Sequence, residues 1–506
     1  MKKTTKGGLM VAASLLIGAT PNAGPQLHLS SLHKRAEVDE RYQSYNVEMV
    51  EVTGGRFWAP YGGPADERYR QRPPLDLTNP RLIAFAKNLG PAYMRVSGTW
   101  SNNTYIPAAG EQITTPPAGF KQVLSRQQWR DVAQFSRAVD APLVTSFAVS
   151  TGTRGADGVW QSEQAQRLVD LTREVGGKLV AAEFFNEPNM PGAAQPMPDT
   201  YTAANYGADF RVFRDWARKS VPDMKILGPG GVGEGGLMKT PPVSAMGPSI
   251  STADMMAANP GSIDAVSYHF YGSVSQRCTG LHIGTANKAE ALSPGWLDGT
   301  LADYAFYAGL RDKYEPGKPM WNTETGQAAC GGSPWASTFL DTFRYLNQLG
   351  ALAQRGVQVV MHNTLATSDY ALLDRDTMTA RPNYWAAVLW RRVMGRVVLD
   401  APQSPSPQLR LYAQCLRGVG GGVGLLALNT GTKPQTLRIN GMSQAWVMTG
   451  AKPDAREIAI NGKTPAMDTS GTLTGLAPVT QQDRVLVPGQ AVAFIADRHA
   501  NNPACR

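Results

Sequence analysis

Between Tyr45 and Leu365 the chain alternates eight short β-like runs with amphipathic stretches, and this alternation restricts the fold more than any other feature. The runs are Tyr45–Met49, Ala92–Ser97, Leu143–Ala148, Leu179–Phe185, Lys225–Gly228, Ala265–Phe270, Pro319–Thr323 and Val357–His362. Helical periodicity falls between most of them, at Pro80–Lys87, Arg126–Val139, Glu163–Glu174, Tyr206–Lys219, Thr300–Lys313 and Thr338–Gln354, with a closing helix at Tyr384–Val393. Strands that alternate with helices build parallel sheets, and eight such units close a (β/α)8 TIM barrel of the α/β class. After Arg396 the texture changes. Leu409–Cys415, Val423–Asn429, Gln435–Ile439, Gln444–Met448, Glu457–Ile460 and Ala491–Ala496 are short strands divided by Gly, Pro, Asn and Thr, the texture of a C-terminal β-sandwich. Ala36–Tyr42 is placed to add an N-terminal strand to it. The expected division is a signal peptide over 1–23, a joining segment over 24–44, the barrel over 45–395 and the sandwich over 396–506.

The signal-peptide reading rests on Lys2, Lys3 and Lys6, the apolar stretch from Gly8 to Ala19, and the small residues and prolines that follow, with cleavage placed near Ala23. That stretch is short for a permanent anchor, so a periplasmic or secreted protein with no membrane anchor is expected. The formal charge of +9 falls to about +6 once the three lysines are removed. No Lys/Arg block stands out, so a nucleic-acid partner is not expected, and the expected state is a monomer. Four cysteines in an exported chain suggest two disulfides; Cys278 with Cys330 and Cys415 with Cys505 is the simplest of three connectivities. There is no CxxC and no His at ligand spacing, so neither a metal nor any other cofactor is implied. The glycine-rich stretches that begin at Gly228 and Gly418 lack the Lys-Ser/Thr of a phosphate loop and read as turns. A Gly-x-Ser-x-Gly elbow is absent too, which sets aside a serine hydrolase.

Two glutamates carry the chemistry. Glu187 lies in Ala-Ala-Glu-Phe-Phe-Asn-Glu-Pro-Asn (181–189) and Glu324 in Pro-Met-Trp-Asn-Thr-Glu-Thr-Gly (319–326). Each follows a strand-like run and is followed by Pro or Gly, so each is expected at the C-terminal tip of a barrel strand, where such barrels place their active sites. By strand count they occupy strands 4 and 7 and face one another across the mouth. A protonated carboxyl to assist the leaving oxygen and an ionised one to attack the anomeric carbon are what retaining glycoside hydrolysis requires. Asn186, next to Glu187, supplies an amide suited to a sugar 2-hydroxyl.

The Asn-Glu-Pro ending and the second Glu resemble the clan of retaining (β/α)8 glycosidases. Within it the chain resembles glycoside hydrolase family 79, the heparanases and β-glucuronidases. The supporting stretches are Leu-Gly-Pro-Ala-Tyr-Met-Arg-Val-Ser-Gly-Thr (89–99), Asn-Glu-Pro-Asn (186–189), Ser-Tyr-His-Phe-Tyr (267–271), Glu-Thr-Gly (324–326), Arg-Gly-Val-Gln-Val-Val-Met-His (355–362), Asp-Tyr-Ala-Leu-Leu-Asp (369–374) and Pro-Asn-Tyr-Trp (382–385). The resemblance implies Glu187 as acid/base, Glu324 as nucleophile, and a disulfide between Cys415 and Cys505. It implies that Tyr370 and the loop backbone around Ser368, which stands where heparanase has glycine, address a uronic-acid carboxylate, and that Gly331 and Gly332 belong to a glycine loop that also contacts substrate. Glu48, Thr99 and Glu234 fall at sugar-hydroxyl positions, Tyr271 near the nucleophile, and His269 beside Tyr271. The implied substrate is a glucuronic-acid-containing oligo- or polysaccharide, cleaved by double displacement.

Departures qualify this. Trp100 and Gly236 stand where human-type heparanase has lysine and arginine that serve sulfate, which weakens a claim on heavily sulfated chains. Thr104–Ser125 is too short to be an excisable linker, so a single active polypeptide is expected. Trp100, Trp296, Trp321 and Trp335 are candidate sugar platforms, with core packing the default for each. The rival readings are a barrel glycosidase that cuts a neutral xyloside, arabinoside or glucoside, and a non-catalytic carbohydrate-binding protein.

Overall fold

The computed structural model describes residues 26–64, 67–192, 197, 198, 200–236, 249–281 and 283–506. The signal-peptide reading therefore lies outside the described residues. Eight strands close a parallel barrel: β1 (Gln43–Glu48), β2 (Met94–Ser97), β3 (Leu143–Thr145), β4 (Leu179–Glu183), β5 (Lys225–Val232), β6 (Ala265–Tyr271), β7 (Met320–Gly326) and β8 (Val359–His362). Closure is made where β8 pairs with β1, with Val360, Met361 and His362 opposite Gln43, Ser44 and Tyr45.

All eight anticipated strands are present, with shifted ends. β5 continues past Gly228 to Val232 because a register shift between Pro229 and Gly231 lets it keep pairing with β6. The helices at Pro80–Lys87 and Glu163–Glu174 have the anticipated bounds. The helix after β6 starts at Pro294 rather than Thr300, because the Ser293 hydroxyl accepts from Trp296 N and Pro294 occupies a position that needs no N–H donor. A short helix after β5, Thr252–Ala258, carries no periodicity signal in so few residues.

Period-2 alternation puts one face of each barrel strand on the outer helices and the other inside. Val144, Ala181, Leu227, Ala265, Trp321, Val359 and Met361 form the apolar inner layer. Tyr45, Val47, Met94, Val96, Ala182 and Tyr268 face the helices as part of the main core.

The C-terminal region is one nine-stranded sheet rather than two unconnected ones. Gln435–Ile439 and Gln444–Met448 are parts of a single strand, Gln435–Gly450, whose register shifts between Arg438 and Met442. That strand pairs with Ala491–Asp497 through its second half and with Gln26–Leu27 through its first, which folds the sheet over on itself. Three strands of this sheet escaped the sequence reading: Gln26–Leu27, Met394–Leu399 and the mostly polar Val479–Val487. The N-terminal strand is Lys34–Glu37, antiparallel to Met394–Leu399; the residues after it turn at Asp39–Tyr42 into β1 instead of continuing the strand.

Leu426, Leu428, Phe494 and Val492 point from the sheet toward the barrel, whereas Leu425, Ala427, Ala493 and Ile495 fill the fold-over core. The helices Phe339–Ala353 and Pro382–Val393 lie between barrel and sheet. Every residue of the first is buried, and Gly350 admits the ring of Tyr412, which a Cβ would meet at 2.4 Å. Disulfides join Cys278 to Cys330, between the loops after β6 and β7, and Cys415 to Cys505.

Candidate active site

The C-terminal ends of the strands gather a charged cluster above the apolar inner layer. Arg95, in the middle of β2, is 1 % exposed and is its hub. Its Nε and Nη2 donate to Glu183 Oε2 on β4 at 3.1 and 2.8 Å, and its Nη1 donates to Glu324 Oε2 on β7 at 2.8 Å. Nη2 also donates to Asn186 Oδ1 at 2.8 Å. That bond turns the amide so that the Asn186 NH2 group faces away from Arg95. Glu183 is completely buried; Thr323 Oγ1 donates to its other oxygen at 2.6 Å, and Arg95 overcomes the burial to hold the carboxylate far below its ordinary range.

Glu324 reaches this cluster through a bulge. On β6, Tyr268 pairs with Asn322 but the next residue, His269, pairs with Glu324, so Thr323 is the extra residue of β7. Strict alternation would send Thr323 and Glu324 to opposite faces; the bulge turns both inward. Tyr271 Oη donates to Glu324 Oε1 at 2.7 Å, and Asn363 Nδ2, past the end of β8, is 3.5 Å from the same oxygen.

Glu187 lies beyond the end of β4 with φ of +51°, a conformation that a non-glycine residue rarely adopts. The preceding residue is clamped: Asn186 N donates to Asn102 Oδ1 and Asn102 Nδ2 donates to Asn186 O, both at 3.0 Å. His269 Nδ1 is 3.1 Å from Glu187 Oε1, while its Nε2 is 3.2 Å from Arg95 Nη2. Because Arg95 is only a donor, a neutral ring carries its hydrogen on Nδ1, and a protonated ring does so too. His269 therefore donates to Glu187 in either state. Burial opposes its protonation, but Glu324, Glu183 and Glu187 outweigh it and push the imidazole up to about 9. Burial raises the Glu187 carboxyl, helped by Glu324 and opposed by the His269 hydrogen bond. Oxygens of Glu187 and Glu324 and a His269 nitrogen all lie within 4.8 Å of one another. That spacing would also suit a metal ion, but Arg95 already brings a fixed positive charge to 2.8 Å from Glu324.

The remaining anticipated residues fall into two groups. Around Glu324, Asn363 Nδ2 donates to Glu48 Oε1 at 2.9 Å and lies 3.0 Å from both Tyr370 Oη and Tyr271 Oη. Glu48 is buried and its carboxyl raised, first by burial and then by Glu324; its Oε2 occupies space left by Gly98, where a Cβ would come within 1.5 Å. Ser368 adopts φ of +83° and its buried hydroxyl has no partner. Gly331 and Gly332 have φ of +82° and +84°; a Cβ on Gly332 would meet Tyr370 N at 3.0 Å, and one on Gly331 would strike Trp58. Farther round the rim, Glu234 accepts from Thr252 N at 2.9 Å and from Asn189 Nδ2 at 3.2 Å, which ties it to the loop that carries Glu187. Thr99 starts the turn Thr99–Asn103 and is half-buried.

Three of the four tryptophans are packing residues. Trp321 belongs to the apolar inner layer and stacks on Tyr93, and Trp296 and Trp335 pack on each other. Trp100 is on the rim, edge-on to Phe57 and Trp58. Sequence reasoning assigned no role to Arg95, Glu183, Asn363, Asn102 or Thr323. The signal for the first two was available: Met94-Arg95-Val96 and Ala181-Ala182-Glu183 put opposite charges inside strands that are otherwise apolar.

Fold and site together define a protein of the (β/α)8-barrel class with two carboxylates facing one another at the barrel mouth. No family model matches the chain. It is 26 % identical over 380 residues to heparanase-like protein 1 of Arabidopsis thaliana, covering 70 % of this chain and 65 % of that one. The chain thus spans slightly under two thirds of that plant relative. It is 25 % identical over 493 residues to mouse heparanase, covering 85 % and 88 %, and 23 % identical over 475 residues to hyaluronoglucuronidase of Hirudo nipponia, covering 85 % and 92 %. A Fusarium oxysporum 4-O-α-L-rhamnosyl-β-D-glucuronidase structure shares the fold, with TM-score 0.64, 15 % identity and coverage of 93 % and 99 %. These similarities, over most of the chain, support its resemblance to the heparanase-like proteins of glycoside hydrolase family 79.

Proposed function

We propose that this chain is an exported, monomeric retaining glycoside hydrolase that cleaves β-linked glucuronic acid. The observation that carries the reading is the approach of the Glu187 and Glu324 carboxylates to within 4.8 Å at the barrel mouth. A separation of about 5–5.5 Å suits direct attack by one carboxylate, whereas inversion needs room for a water between them. The names of the relatives and the two disulfides support the substrate class and export.

In the first step Glu187 gives its proton to the glycosidic oxygen as Glu324 attacks the anomeric carbon. The aglycone leaves, and the sugar is held as an ester on Glu324. In the second step Glu187, now a carboxylate, takes a proton from water, whose oxygen displaces Glu324 and restores both groups. Burial raises the Glu187 carboxyl, which favours the protonated form that the first step needs. Arg95 and Tyr271 hold Glu324 by one oxygen each, and as negative charge passes from Glu324 to Glu187 the His269 N–H remains on Glu187. The free NH2 group of Asn186 faces the sugar 2-hydroxyl. Tyr370, the Ser368 hydroxyl and the Gly331–Gly332 backbone receive the uronate.

The test is hydrolysis of aryl β-D-glucuronide beside aryl β-D-glucoside and β-D-xyloside, with Glu187→Ala and Glu324→Ala as controls. Glucuronide turnover that needs both glutamates is expected. Turnover of a neutral glycoside alone would discard the uronate assignment.

A further inference from the structure

Arg277, in the turn Gln276–Leu281 after β6, touches neither catalytic glutamate and is only 4 % exposed along its side chain. All its guanidinium hydrogens are committed. Nε and Nη2 donate to Ala59 O at 2.9 and 2.5 Å, in the loop after β1. Nη1 donates to Cys330 O at 3.2 Å and Gly332 O at 2.8 Å, in the loop after β7. Nη2 also pairs with the Asp369 carboxylate, in the loop after β8. The guanidinium carbon lies 3.9 Å from the centre of the Tyr61 ring, and the Tyr61 hydroxyl donates to Gly332 O at 3.1 Å. One side chain thus joins the loops of four neighbouring strands.

The loops that it joins carry the groups assigned to the uronate. Asp369 precedes Tyr370, and Asp369 N donates to Gly331 O at 3.1 Å. Gly332 sits directly against Tyr370. The Cys330 carbonyl, held by Arg277 and by Ser275 Oγ at 2.9 Å, is trans to the Gly331 N–H across a planar peptide. Fixing that carbonyl turns the Gly331 N–H away from Arg277, and among the described residues this N–H has no acceptor.

We propose that Arg277 is a specificity-determining positioning residue, which fixes the Gly331 N–H and Tyr370 relative to each other as one receptor for the substrate's carboxylate. The inference rests on the glucuronide reading. A lysine would keep the charge opposite Asp369 but could not span three loops, because an ammonium lacks the planar fork.

The experiment is covalent trapping by an activated 2-fluoro-β-D-glucuronide, comparing wild type with Arg277→Lys and with the charge-neutral double variant Arg277→Gln/Asp369→Asn. The double variant keeps the test open should Arg277→Lys fold poorly. Expected is a rise in the inhibition constant of about 10- to 100-fold with the maximal trapping rate changed less than about 3-fold, as misplaced binding groups would give. An equal loss in both constants, or no change in either, would overturn the inference. Wild type that is trapped by the 2-fluoro-glucoside and not by the glucuronide would overturn the glucuronide reading itself, and the assignment of Arg277 with it.

Discussion

The two ends of the barrel interior are built on opposite principles. The inner layer of Val144, Ala181, Leu227, Ala265, Trp321, Val359 and Met361 is apolar and needs only to fill space. Above it, Arg95, Glu183, Asn186, His269 and Glu324 are just as buried but charged or polar, and they persist only because each is held by another. Apolar burial is favourable in any well-filled arrangement, whereas a buried charge is tolerated only with its partner in place. The lower layer is thus tolerant and structural, and the upper layer is intolerant and sits where the proposed mechanism needs a carboxylate to gain or lose a proton.

Substitutions should separate the two. The largest effect is expected from Glu324→Gln, which should lower turnover on the order of 10⁴-fold or more while leaving thermal unfolding close to wild type. Retained trapping by a 2-fluoro glycoside would remove Glu324 as nucleophile. Arg95→Leu should damage both properties, since it strands Glu183 and Glu324; a stability loss of about 3–5 kcal/mol is expected by denaturant titration. A loss under 1 kcal/mol would mean that the charged layer is not held as described. Leu227→Ala in the lower layer should cost about 2–5 kcal/mol by the same titration, with turnover per folded molecule unchanged. Lost turnover there would erase the distinction between the layers.

Protonation offers a subtler comparison. The His269 imidazole titrates near 9 in the fold against an ordinary 6.5. Its contribution to stability is full below about pH 6.5 and is lost as pH rises towards 9. The stability difference between wild type and His269→Asn should therefore shrink across that window; a constant difference would show that His269 is held by packing alone. Turnover should fall on the alkaline side as Glu187, raised by burial, loses its proton, and a basic limb that survives Glu187→Gln would assign that limb to another group.

Legibility followed the same division. The alternation that announces the barrel depends on local periodicity, which is why all eight strands could be read with only their ends displaced. The strand Val479–Val487 was missed because its exposed polar residues give no apolar alternation. Within the site, Asn186 and Glu187 follow β4 and Glu324 lies near the end of β7, each close to a Pro or Gly, so short-range chemistry reveals them. Asn363 and Asn102 carry no such mark. Each is an ordinary amide until the barrel closes and brings it against residues from other strands.

By itself the sequence determined the barrel, the strand-rich C-terminal region and the identity of the two glutamates, because hydrophobic period and turn residues act over a few positions at a time. Only the tertiary structure decided what those glutamates face. The bulge at Thr323, the inward-facing Arg95–Glu183 pair, the choice between cysteine pairings and the four-loop junction at Arg277 all join residues far apart in the chain. Such contacts depend on barrel closure and on the balance between desolvation and pairing of charge, which no local pattern records.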